Sequence, residues 1–165
     1  KTRELAFDTR PAFPPVLPPD LAFVPYDRAW LEAVCRLLDQ ALAHTFADPG
    51  DAVFSRDKEK YDAEWLGLAR TNACRLLLEN RVLAGFIARR DAEIDLMAVA
   101  PERQGRGLGR ILLQQARADI LEEQAGEPHL YCLDSNNGAL RFYLREGMRV
   151  TGHSGYAWLD ALPGT

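Results

Sequence analysis

Several scaffolds are excluded by what this sequence lacks. Its three cysteines, Cys35, Cys74 and Cys132, are odd in number and far apart, with no Cys-x-x-Cys pair and no neighbouring histidine. That removes a disulfide framework and a zinc ligand set, and no metal site is expected. Positive charge is also short: 20 Lys and Arg stand against 24 Asp and Glu, a formal net charge of −4. A protein that draws its affinity from neutralising many phosphates needs the opposite balance, so nucleic acid is not an expected partner. Long apolar runs are missing too. Stretches such as Leu83 to Ala88 fall far short of the ~20 residues that span a bilayer. No basic-then-apolar leader opens the chain, so the expectation is a cytoplasmic protein with no membrane partner.

What is present suits an ordinary globular core: 47% of the 165 residues are hydrophobic and 27% charged. Six of the ten prolines lie before residue 26. Proline lacks the amide that helices and sheet ladders use, so residues 1–20 read as a Pro-rich N-terminal arm, with residues 21–165 as one domain. After Pro25, Trp30, Val34, Leu37, Leu38, Ala41 and Leu42 fall on one helical face that runs to about Phe46. A polar segment, 47–60, leads to a second helix around Tyr61 to Ala69. Three apolar stretches, Ala73 to Glu79, Val82 to Arg89 and Glu93 to Val99, are separated by short breaks and predict an antiparallel meander. The period then changes. Leu108, Ile111, Leu112, Ala116 and Ile120 predict a helix to about Gln124, followed by a strand at Leu130 to Leu133. Asn136 can cap a short helix that Gly147 ends, and two strands, Met148 to His153 and Tyr156 to Leu159, complete the chain. The order ααβββαβαββ describes an α+β fold with a mixed sheet and helices on its faces.

The segment from Val99 to Gly109 is the most informative, because a strand passes through a turn bearing Gly105, Gly107 and Gly109 straight into a helix. Glycines let a ligand approach the backbone, and the free amides at a helix start favour an anion such as phosphate. Arg103, Arg106 and Arg110 add charge at the same place. The spacing is wrong for a dinucleotide fingerprint, and the Gly-Lys-Ser/Thr of a Walker loop is absent. A tight turn without any ligand remains the alternative.

These residues resemble the GNAT superfamily of acyl-CoA N-acyltransferases. Its glycine signature, Gln/Arg-x-x-Gly-x-Gly/Ala, stands here as Gln104-Gly105-Arg106-Gly107-Leu108-Gly109. A second segment, Asn136-x-x-Ala139-x-x-x-Tyr143-x-x-x-Gly147-Met148, is similar to a second family motif, with Met148 where Phe is usual. The resemblance covers about Leu76 to Val150. It implies a mostly antiparallel sheet in which strand Glu93 to Val99 splays from a parallel neighbour, and acetyl-CoA lies in the gap. By resemblance, Met97, Ala98 and Val99 would bind the thioester arm, mainly through backbone groups, and Gln104, Gly105, Arg106, Gly107, Leu108, Gly109 and Arg110 the diphosphate. Asn136 would cap its helix and also bond the arm.

For catalysis the resemblance implies Tyr143 as the acid that protonates the departing thiolate, beside the cofactor, and Glu93 as the base. Asp95 shares the strand parity of Glu93 and is the reserve base. An amide from Met97 would stabilise the oxyanion. Cys132 is a poor candidate for a covalent carrier because the family transfers directly in a ternary complex. His44, His129 and His153 show no catalytic spacing, and Trp30, Trp65 and Trp158 read as core anchors. The implied activity is N-acetylation of a small-molecule primary amine. A protein amine acceptor and a non-catalytic acyl-CoA-binding sensor remain alternatives, and a homodimer is possible because relatives pair through their C-terminal strands.

Overall fold

The structure, a computed structural model, describes residues 2–43 and 52–154. The meander forms as its pattern predicts: β3 spans Cys74–Glu79, β4 Val82–Arg90 and β5 Glu93–Val99. Asn80 and Arg81 both take positive φ, 49° and 69°, which gives the two-residue hairpin a twist matching that of its strands. β4 is buried without a break from Leu83 to Arg89, as a strand covered on both faces must be.

Only the start of the expected arm departs from it, since residues 7–20 carry no helix or strand. Thr2–Ala6 is strand β1, and Leu21–Pro25 is strand β2. The first proline is Pro11, so nothing in residues 2–6 blocks a ladder, and Leu5 and Ala6 are buried by it. β2 lies at the sheet edge and pairs with β3 alone, which is where a strand ending in Pro25 is tolerated.

Helix α1 spans Leu31–Ala41 after a 3-10 turn at Arg28–Trp30, whose start Asp27 caps by accepting from the Ala29 amide at 2.9 Å. Part of the polar segment expected as loop is helix: α2 covers Val53–Arg56 and α3 Lys58–Ala69. The signal missed was Asp39 on α1, whose carboxylate accepts from the Phe54 and Ser55 amides at 2.8 and 3.1 Å and so caps α2 from outside its own segment. Helix α4 spans Leu108–Glu122, strand β6 His129–Leu133, helix α5 Asn137–Arg145 and strand β7 Arg149–Ser154. His44, Trp158, the end of the first expected helix and the strand at 156–159 lie outside the described residues.

The seven strands run in the order β2-β3-β4-β5-β6-β1-β7, all antiparallel except β5 beside β6. On one face α1, α2 and α3 bury Val34, Leu38, Phe54 and Trp65 against Leu76, Phe86 and Ala98. Trp65 is a core anchor, stacked on Tyr61 at 5.3 Å and tilted against Phe86 at 5.0 Å. On the other face α4 buries Leu108, Leu112, Leu113 and Ile120 against Leu77, Ile87 and Leu130, with α5 alongside. Among the described residues no helix is long and apolar enough to cross a membrane.

Candidate functional site

The parallel ladder between β5 and β6 holds a single pair, Glu93 with His129. Beyond it the strands part, and a cleft of about 430 Å³ opens between Glu93 to Met97 on one side and Leu130 to Leu133 on the other. A second cavity of about 700 Å³ continues along Met97, Ala98 and Val99 to the glycine turn. Met97, Asn136, Ala139 and Tyr143 line both.

Backbone direction gives this gap its character. The Ala100 amide donates to the Ala84 carbonyl of β4 at 2.8 Å. Backbone groups alternate along a strand, so those of Ala98 also face β4, while those of Met97 and Val99 face the open gap. Gln104 Nε2 donates to the Val99 carbonyl there, at 3.2 Å.

β5 carries a further device. Ala88 pairs with Leu96 and Arg89 with Ile94, so Asp95 has no opposite residue and forms a β-bulge. Ile94 packs with Met97 and Val99 on the α4 face, whereas Leu96 and Ala98 pack on the α1 face. Glu93 and Asp95 keep the shared parity expected of them, but the bulge separates them from Met97, which strict period-two counting would place on the same side.

The glycine turn is shaped for an anion. Gly105 and Gly107 have φ of 79° and 84°, in the left-handed region that side chains rarely adopt, and no atom lies within 4 Å of a Cβ built on either. Among the described residues, the amides from Gly105 to Arg110 donate to no carbonyl or side chain; the first α4 amide bonded back is that of Ile111, to Gly107. The six free donors lie at the positive end of a 15-residue helix. The arginines are less free than the sequence suggests. Arg103 and Arg106 both bind Glu79, at 2.9 and 2.5 Å, and Arg110 binds Glu146 at 3.2 Å. The Arg106 and Arg103 guanidiniums hold the Glu79 carboxyl below the usual carboxylate range. Glu79, which no motif marks, therefore fixes the turn, and the amides are its unpartnered donors.

Tyr143 reaches the junction of the two cavities from α5, and its hydroxyl has no hydrogen-bond partner among the described residues. Burial pushes its phenol well up, with Cys132 adding to the effect. Asn136 caps α5, its Oδ1 accepting from the Ala139 amide at 3.1 Å. Burial also raises the Cys132 thiol, which keeps it protonated and a weak nucleophile.

Glu93 and Asp95 line the cleft and both titrate high, chiefly because burial disfavours their charge; the Asp95 carboxylate raises Glu93 further. The opposite wall, Phe54, Tyr61 and Glu64, comes from α2 and α3, the N-terminal helices that the family resemblance implies set the acceptor. Arg90 ties that wall to β5 by binding Glu64, and Asp95 at 3.7 Å. Among the described residues no cluster of His, Cys, Asp and Glu could hold a metal.

Residues 23–148 match the model of the acetyltransferase (GNAT) family. Among solved structures, the fold is similar to a GCN5-related N-acetyltransferase from Sphaerobacter thermophilus, at a TM-score of 0.67 and 20% identity over 91% of this chain. The chain spans 48% of that protein, about half its length. It is also similar to the PaiA N-acetyltransferase from Thermoplasma acidophilum, solved with coenzyme A, at a TM-score of 0.69 and 20% identity over 82% of this chain and 93% of that one. A third likeness is to yncA from Salmonella typhimurium, solved with acetyl-CoA, at a TM-score of 0.59 and 20% identity over 80% of this chain and 81% of that one. A search for relatives among curated proteins finds no match.

Proposed function

This chain belongs to the GNAT acetyltransferase family, and from that premise we propose that it moves the acetyl group of acetyl-CoA directly to the primary amine of a small molecule. The observation that carries this reading is the run of six unpartnered amides, Gly105 to Arg110, beside a gap that the Met97 and Val99 backbone groups face. Such a row of donors at a helix start fits a diphosphate, and an unpaired strand edge fits the amides of a pantetheine arm. Two of the similar structures were solved with coenzyme A or acetyl-CoA, which supports the choice of cofactor.

Bound acetyl-CoA supplies an activated acetyl group and a thiolate leaving group. This chain's residues do the rest. The amides from 105 to 110 hold the diphosphate directly, while Arg103 and Arg106, which share Glu79, and Arg110, paired with Glu146, surround it. Asn136, with Oδ1 engaged at the α5 cap, has its side-chain amide left to donate to the arm. The Met97 amide, facing the gap, stabilises negative charge that develops on the thioester oxygen. Glu93, its carboxyl raised towards neutral pH by burial, takes the proton of the incoming amine. Asp95, presented by the bulge, attracts the ammonium form. Tyr143, kept protonated by burial and with its hydroxyl unengaged, gives its proton to sulfur.

Thiol release from acetyl-CoA, measured against a panel of small amines and a lysine-containing peptide, tests this. Turnover with a small amine is the expected result. Binding of acetyl-CoA without turnover on any amine would make the protein a sensor, and turnover on the peptide alone would move the acceptor class.

A further inference from the structure

Amine acetylation releases a proton that the site must dispose of. A protonated primary amine loses two protons as it becomes an amide; one ends on the free thiol, passed by Tyr143, and one is in excess for every turnover. Once cofactor and acceptor fill the cleft, Glu93 holds that excess proton with its cleft side covered. On its other side stands His129, which pairs with Glu93 across the parallel step between β5 and β6 and is not among the residues lining the cleft.

The ring is oriented by its neighbours. His129 Nδ1 lies 3.0 Å from the Glu127 carbonyl, which can only accept, so Nδ1 carries the hydrogen in the neutral ring. Nε2 is then the basic nitrogen, and it faces Glu93 Oε1 at 4.0 Å. A small side-chain rotation or one water closes that distance. The ring meets Tyr131 edge-on at 6.0 Å and is 28% exposed, so it touches both the half-buried Glu93 carboxyl and solvent. The other ionisable groups around the pair are Asp95 on β5, Arg90 at the end of β4, Tyr131 on β6, and Glu4 on β1, which accepts from Tyr131. Arg149 reaches the Glu127 side chain from β7.

We propose that His129 is the proton exit of this site: Glu93 gives the excess proton to Nε2, and the imidazolium gives it to solvent. The transfer is balanced, with Glu93 returning to carboxylate and the ring returning to neutral before the next turnover. His129 touches neither the amine nor the thioester and so acts as a positioning residue for protons, through Glu93. The inference rests on Glu93 being the base.

The experiment compares wild type with His129→Gln, whose side-chain amide can still donate to the Glu127 carbonyl, at rising concentrations of imidazole buffer. In dilute non-imidazole buffer the variant should lose kcat on the order of tenfold, less than removal of a direct general base costs. Imidazole should restore it. Wild type should be indifferent to buffer, and amine KM should be the same in both. His129→Ala, which leaves room for free imidazole, serves if Gln disturbs folding. A second readout needs no substrate: the Glu93 carboxyl, followed by carbon NMR, should titrate higher in the variant, because a protonated ring at 129 lowers it in wild type. Unaltered kcat at every buffer concentration, or a loss that imidazole does not restore, overturns the proposal. If wild type acetylates no amine, the functional reading falls, and the carboxyl titration alone decides whether Glu93 and His129 are coupled.

Discussion

Tyr143→Phe removes one oxygen atom, and the structure sets separate expectations for stability and for rate. The hydroxyl has no partner among the described residues, so its loss deletes no hydrogen bond and relieves a partly desolvated polar group. A hydroxyl of this kind costs about 1 kcal/mol or less to keep, so the variant should be as stable as wild type or slightly more so. Each kcal/mol is worth roughly 2–4 °C at this chain length, and the melting temperature should stay level or rise within that range. Affinity for acetyl-CoA should be nearly unaltered, because the donors for the diphosphate lie on the 105–110 turn. Turnover is different. Loss of a general acid costs about 10²–10⁴ in kcat, or about 2.7–5.4 kcal/mol of barrier. Thiol release, acetyl-CoA titration and thermal melting on the same preparation separate the three effects. An unchanged kcat would refute the role of Tyr143, and a melting point lowered by many degrees would refute the claim that its hydroxyl is free.

Glu93→Gln should abolish most turnover and yet raise the melting temperature near pH 7. Because burial raises this carboxyl, the folded state keeps its proton to higher pH than the unfolded chain; its contribution is complete below the ordinary carboxylate range and is lost as pH rises through the folded value. The acid limb of kcat/KM should accordingly lie above the usual glutamate range, and a limb at the ordinary value would contradict this. Gly107→Val places a Cβ at φ 84°, a strain of roughly 1–2 kcal/mol with open space around the Cβ itself, so thermal melting should show a modest loss while acetyl-CoA affinity falls well beyond it. In the core, Leu112→Ala should cost about 2.7–5 kcal/mol by denaturant titration. A Cβ at Gly85 would come within 3.0 Å of the Leu112 Cδ1 atom, so Gly85→Ala should be better tolerated in the Leu112→Ala background, and strict additivity would count against that contact.

The parts of this fold legible in the sequence are those built from local signals. The β3-β4-β5 meander, α4, the Asn136 cap and the left-handed Gly147 each rest on residues a few positions apart. What was illegible depends on distant partners. β1 is held by β6 and β7, more than a hundred residues away, and its five residues have no pattern strong enough to offset the prolines that follow. α2 is capped by Asp39 across a gap of 15 residues. The glycine turn was recognisable, but the pairing of its arginines was not, since only the fold brings Glu79 beside Arg103 and Arg106. The bulge at Asp95 escaped because strand parity assumes an unbroken period of two.

The central claim concerns six backbone amides, and they can be observed one by one. In a nitrogen-labelled sample titrated with coenzyme A, the amide resonances of residues 105–110 should move the most, together with those of Met97 and Val99, and pantetheine alone should move only the latter pair. Saturable binding that leaves 105–110 in place, or no binding, would contradict the account.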